Sequence, residues 1–312
     1  MTITGDQQGS PRPTADGNAS PEGMAQETAS QHDASQDTPP ALFTRVDGPE
    51  SADKLLLLHG GPGASHDYLY PQMLFLAEQH RVITYDQRGG GRSRTDDPTP
   101  VTWQTQVDDV RAMVEKHSLG NPTIVGYSWG GLLAMLYAIE AAAGRVPMPA
   151  RLVLISPAPI TKSWREEFER NLIERSRSER IARMRDELAA SGLRESNPDA
   201  YRQRAFELSV AGYFADPTQA ENLTPFRVLA RVQKSVWESL GAFDLRDALE
   251  TVRVPSLVVH GRHDPIPMAS AESVAQRLGA KFVVLEQSGH VPYVEQLTAL
   301  SSVIEEFLAA TA

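Results

Sequence analysis

From Leu42 onward the chain alternates short apolar runs with amphipathic segments, and this pattern narrows the fold more than any other feature. Runs at residues 55–58, 82–85, 123–125, 152–155, 257–259 and 282–285 are each too short for an ordinary helix. A strand covered on both faces reads as an unbroken apolar run of this length, because neither side meets water. The segments between them carry helical spacing. Val107, Val110 and Val114 follow a Thr102 cap, and Leu297, Leu300, Ile304, Phe307 and Leu308 share one helical face near the C-terminus. Strand and helix in regular succession predict a doubly wound, mostly parallel α/β sheet.

The alternation stops at residue 157 and resumes after residue 242. Ser163 with Glu166 has the form of a capping box opening a charged helical run through Leu188; Asn197-Pro198 starts a second helix and Pro225 a third. The segment holds 14 Lys and Arg against 13 Asp and Glu, which reads as solvated helix faces. The expected organisation is one core, residues 41–156 and 243–312, with a helical lid at 157–242 above the strand ends, where doubly wound sheets bind ligands.

Residues 1–40 contain Met1, Ile3 and Met24 as their large aliphatic side chains, too little apolar surface to offset chain ordering, so they are expected to form a disordered tail. That tail also carries six acidic residues against Arg12 alone, half of the formal charge of -10. The remainder is nearly balanced and offers no electrostatic reason for nucleic acid or an anionic membrane as partner. No apolar stretch approaches the roughly 18 residues of a membrane span, and the N-terminus lacks a signal-peptide pattern, so the expected location is cytoplasmic. The absence of cysteine excludes disulfides, thiolate metal sites and cysteine nucleophiles.

Covalent chemistry must therefore use another side chain, and Ser128 stands in the run Gly126-Tyr127-Ser128-Trp129-Gly130. A strand-like run precedes it and the helix-forming run 132–136 follows, the setting of a nucleophile elbow, whose tight turn leaves no room for a Cβ at the flanking glycines. A serine hydroxyl needs a general base and a group that orients the base. His290 lies in the loop after the last expected strand and Asp264 in the loop after the strand before it. The next strand upstream ends in Ser156-Pro157-Ala158-Pro159 and offers no carboxylate. Structural roles are expected for His260 and His263, and surface positions for His66, His80 and His117. No histidine pair has metal-ligand spacing backed by acids, so neither metal nor cofactor is expected. A developing oxyanion needs two main-chain donors. Trp129 supplies one directly after the serine, and Gly61 in His59-Gly60-Gly61-Pro62-Gly63 is the natural second. This glycine run lacks the endings and spacing of phosphate-binding loops.

Taken with Asp86-Gln87-Arg88-Gly89, Ser128-Trp129-Gly130, Gly261-Arg262-His263-Asp264 and Ser288-Gly289-His290, the His59–Gly63 run resembles the proline iminopeptidase branch of the α/β-hydrolases, from about Leu42 to Leu308 outside the lid. The resemblance implies an α/β-hydrolase fold, a Ser128-His290-Asp264 triad with Gly61 and Trp129 at the oxyanion, and bracing roles for Asp86 and Arg88. It also implies an aminopeptidase that releases an N-terminal residue, often proline, from short peptides, with a lid carboxylate holding the free amine. The Trp-x-x-Trp-Glu lid segment associated with prolyl enzymes is replaced here by Arg204-Ala205-Phe206-Glu207. Glu207 is then the candidate amine anchor, ahead of Glu221 and Glu238. A carboxylesterase or other small-molecule acyl hydrolase is the alternative reading, and a catalytically inactive binding protein the remote one.

Overall fold

Each expected apolar run forms a strand in the computed structural model, which describes residues 41–95 and 98–311. The seven strands among the described residues are β1 (Thr44–Asp47), β2 (Lys54–Leu58), β3 (Arg81–Tyr85), β4 (Thr123–Tyr127), β5 (Arg151–Ile155), β6 (Ser256–Gly261) and β7 (Lys281–Leu285). They form one sheet in the order β1-β3-β2-β4-β5-β6-β7. The pairs from β3 to β7 are parallel, and β1 alone runs antiparallel, against β3. Sequence patterning does not reveal β1. It is a half-exposed edge strand, Thr-Arg-Val-Asp, with no continuous apolar run.

Helices of ten residues or more are α1 (Trp103–Lys116), α2 (Trp129–Ala142), α3 (Lys162–Ser176), α4 (Glu179–Ala190), α5 (Pro198–Val210), α6 (Ala230–Ser239), α7 (Met268–Leu278) and α8 (Leu297–Ala310). Alternate strand residues feed two cores. Leu56, Leu58, Ile83, Ile124 and Leu154 pack with α1 and α2, while Leu55, Leu57, Val125, Val153 and Leu257 pack with Leu300, Ile304 and Phe307 of α8. Helices on both faces explain why the strands are apolar throughout. α1 opens as expected, with Thr102 and Thr105 exchanging side-chain and main-chain bonds in a capping box.

Helices α3 to α6 lie between β5 and β6. Their starts differ from expectation. Thr161, not Ser163, caps α3, accepting from Trp164 N at 3.2 Å, because Thr161 is still extended and bridged to Asp244. The charged run breaks at Arg177 and Ser178 into α3 and α4, since α4 turns Ile181, Met184 and Leu188 inward whereas α3 buries no residue. Asn197 does cap α5, accepting from Ala200 N, with Pro198 in the first turn. The third helix begins at Ala230 rather than Pro225, its approach drawn out by a bond from Leu229 N to Gly63 O of 3.1 Å. Where the insert leaves and rejoins the core, the two chains pair: Lys162 N donates to Phe243 O at 3.0 Å and Leu245 N to Ile160 O at 2.9 Å. The tail expected at residues 1–40 lies outside the described residues. Among the described residues no helix is long and apolar enough to cross a membrane.

Candidate active site

Ser128 joins β4 to α2 with φ 52° and ψ -116°, a conformation that costs an L-residue of order 1–3 kcal/mol unless its surroundings impose it. Here they do. Ser128 N donates to Ile155 O at 2.9 Å, and Ser128 O accepts from Gly131 N, Leu132 N and Ala158 N at 3.0, 3.2 and 2.9 Å. The flanking glycines are obligatory: a Cβ on Gly130 would lie 2.1 Å from Leu58 O, and one on Gly126 2.4 Å from Gly130 O.

The turn aims the Ser128 hydroxyl at the loop after β7. Ser128 Oγ is 2.9 Å from His290 Nε2, and His290 Nδ1 is 2.9 Å from Asp264 Oδ2 in the loop after β6. Asp264 Oδ1 accepts from Ile266 N at 2.8 Å, and the carboxylate is fully buried. Burial opposes its charge, but His290, His260 and these hydrogen bonds prevail and hold its carboxyl below the ordinary range. An ionised Asp264 can accept the Nδ1 proton of His290, the tautomer that leaves Nε2 as the acceptor facing Ser128. Such a relay can take a proton from the hydroxyl and return it to a leaving group.

The loops around the relay are braced by polar groups. His59 is buried, its Nδ1 donates to Gly60 O at 2.8 Å and its Nε2 accepts from Gln87 N at 3.1 Å; burial lowers its pKa to about 4, so the ring is neutral. Gln87 and Gln106 both accept from the Trp129 indole, at 3.1 and 2.8 Å, which ties the loop after β3 to the start of α2. Gly60 N is taken up by Tyr68 Oη at 2.6 Å, and the next residue, Gly61, turns with φ 59° onto the wall of the cavity. Arg88 forms a two-point ion pair with Asp109. Asp86 accepts from His66 N, His66 Nδ1 and Arg92 N; burial opposes its charge, and these donors outweigh it and hold the carboxyl at about 2.

His66 is therefore not the surface residue that its sequence position suggests. It is fully buried, 2.6 Å from Asp86 Oδ1. His80 and His117 are half-buried, and His263 is exposed. His260 is buried beside Asp264 and bonded to Ile266 O, and burial lowers its pKa. Glu295 also escaped sequence reasoning. Its carboxylate accepts from Gly289 N at 2.7 Å and Ala215 N at 2.6 Å, yet an acid on a short helix after the histidine carries no distinguishing pattern.

A cavity of about 130 Å³ opens onto Ser128 and His290. The core supplies Gly61, Trp129 and Ile266; the insert supplies Ala158, Phe168, Tyr213, Phe226, Gln233 and Trp237. The imidazole of His290 lies 5.3, 5.4 and 6.2 Å from the rings of Tyr127, Tyr213 and Phe168. Among the described residues, no Asp, Glu, Lys or Arg lines this cavity. Glu207 is not part of this wall and is occupied within its own helix, accepting from Arg204 Nη1 at 2.6 Å and Gln203 Nε2 at 3.0 Å. The structure thus does not bring Glu207 to Ser128, nor Glu221 or Glu238, which are absent from the wall. No cluster of three or more potential metal ligands occurs among the described residues.

The proline iminopeptidase of Lacticaseibacillus rhamnosus is 28% identical over 283 residues, spanning 86% of this chain and 94% of that protein. Among solved structures, proline iminopeptidase from Mycobacterium smegmatis superposes with a TM-score of 0.62 at 22% identity, covering 86% of this chain and 94% of the other. The enol-lactonase from Burkholderia xenovorans LB400 does so with a TM-score of 0.58 at 24% identity, covering 86% and 96%. These two structures share the fold. Residues 55–302 match the alpha/beta hydrolase family, and with its parallel sheet and a serine at the turn after β4 the chain belongs to that family.

Proposed function

We propose that this protein is a serine hydrolase that works through an acyl-enzyme, with Ser128 as nucleophile, His290 as general base and Asp264 as its orienter. The observation that carries this reading is the unbroken relay from Ser128 Oγ through His290 to Asp264, with both contacts at 2.9 Å, at the wall of a cavity. In the first half-reaction His290 Nε2 takes the hydroxyl proton as Ser128 Oγ attacks an ester or amide carbonyl. The main-chain N-H groups of Gly61 and Trp129 receive the oxyanion. His290 then protonates the departing alcohol or amine. In the second half-reaction water attacks the acyl-serine, His290 takes its proton, and the acid leaves with Ser128 restored. No cofactor enters these steps. Segment 157–242 acts as the lid, because its aromatic residues form the outer wall of the cavity.

The substrate best suited to the wall is a neutral ester or amide with a small apolar or aromatic acyl group. A buried ammonium without an anion is costly, and no carboxylate lines the cavity among the described residues. Its volume is close to the roughly 150 Å³ of cavities that hold benzene. A second reading, an aminopeptidase acting on short peptides, is favoured by the 28% identical proline iminopeptidase relative.

A substrate panel separates the two. Short-chain and benzoyl aryl esters should turn over faster than prolyl or alanyl naphthylamides, and N-acylation of the naphthylamides should not abolish activity. A strict need for the free amine would replace the first reading with the second. A fluorophosphonate probe tests the nucleophile: stoichiometric labelling in the wild type should vanish in Ser128→Ala, and persistence of the label would reject the assignment.

A further inference from the structure

We infer that Glu295 is a positioning residue for His290, locking one strip of the insert, residues 212–216, to the loop that carries the histidine. The inference rests on the catalytic role proposed for His290. Glu295 Oε2 accepts from Gly289 N at 2.7 Å and Ser288 Oγ at 3.3 Å, on the two residues before the histidine. Its other oxygen accepts from Ala215 N at 2.6 Å and Asp216 N at 3.4 Å, in the insert. One carboxylate thus holds both chains.

Three further contacts make the junction tight. His290 N donates to Tyr213 O at 2.7 Å. A Cβ on Gly289 would lie 2.3 Å from Tyr213 O and 2.8 Å from Ala215 N, so the strip packs directly on the backbone of the histidine loop. On its other side, Arg175 of α3 donates to Gly212 O at 2.9 Å and Phe214 O at 2.6 Å. The strip is held between a cation on its carbonyls and an anion on its amides. Burial raises the carboxyl of Glu295 above its ordinary value, with the four donors opposing that shift, so an acid stands here at an energetic cost.

The consequence is mechanical. The general base is seated by the insert as well as by the sheet, and a lid displaced at residues 212–216 carries the main chain of Gly289 and His290 with it. Misplacing a catalytic group by about 1 Å costs on the order of 100-fold in rate.

The test uses the full chain and a short-chain aryl ester. Glu295→Gln keeps the size but turns an NH2 group against main-chain N-H donors. Its kcat should fall about 10- to 100-fold while KM holds. The rate of fluorophosphonate labelling at Ser128 should drop with kcat, and the amides of Ala215 and Gly289 should exchange faster. Glu295→Asp, which keeps both acceptor oxygens, should recover part of the rate, and it serves as the working variant should Glu295→Gln fail to fold. Wild-type kcat in both variants, or a loss of rate matched by the fraction unfolded in a parallel melting curve, would overturn the inference. Failure of the catalytic reading itself is seen separately, as absence of Ser128 labelling in the wild type.

Discussion

Helices α2 and α3 have nearly the same length, 14 and 15 residues, and opposite surroundings. α2 is apolar but for Glu140 near its end, with Leu132, Leu133, Ala134, Tyr137 and Ala138 wholly buried in the core. α3 buries no residue, exposes half of Ile173, and meets the rest of the protein through Trp164, Phe168 and polar ties such as Asn171 Nδ2 to Pro265 O at 3.0 Å. The first helix holds the serine where the fold needs it. The second contributes Phe168 to the cavity wall and little to the core. The two helices thus divide between the core and the surface of the protein.

That division can be broken by substitution. The largest effect is expected at the elbow: Ser128→Ala should lower kcat by about 10⁶-fold with the melting temperature unchanged or raised, since it removes the attacking atom alone. Asp264→Asn should lower kcat by about 10⁴-fold, because an amide no longer holds His290 in the tautomer with Nε2 free. In α2, Leu133→Ala should destabilise the fold by about 2–5 kcal/mol in urea titrations, and a smaller loss would mean that the core repacks.

Acid should also act on the core. His59, buried beside Gly60 and Gln87, has its pKa lowered by burial from 6.5 to about 4. Its folded pKa is the lower one, so its share of the stability is complete above pH 6.5 and is lost as pH falls to about 4, about 3 kcal/mol in all. Asp86, with donors from His66 and Arg92 overcoming burial, sits at about 2 and extends the loss below its ordinary 3.8. Urea midpoints between pH 7 and pH 4 should fall accordingly, less steeply in His59→Asn. The smallest effect is expected in the insert, where Ile173→Ala should shift stability by less than about 0.5 kcal/mol.

The same contrast explains what could be read from the sequence. Strands β2 to β7 and α2 are legible because a layer covered on both sides admits apolar residues throughout, and Ser128, Asp264 and His290 stand out by their places directly after β4, β6 and β7. The start of α3 at Thr161 was not legible, because it depends on pairing with Asp244, far along the chain. His66 reads as superficial because nothing local announces its bond to Asp86, and Glu295 carries no signal at all because both of its partners come from the folded arrangement of two loops. Glu207 had the right charge in the right segment, but Arg204 one helical turn away already claims it.

The paired chains at residues 160–162 and 243–245 give the insert a narrow neck, with departure and return side by side. Viewed from the sheet, everything beyond that neck is a single closed loop. Doubling a flexible loop costs only about 0.6 kcal/mol in closure entropy, so the neck itself sets little limit on the length of what lies beyond it. The neck is therefore a graft junction for the chain path alone: an insert from another hydrolase, cut and joined at these two short segments, would leave the elbow at Ser128 in place but would have to restore the contacts that residues 212–216 make with Gly289, His290 and Glu295.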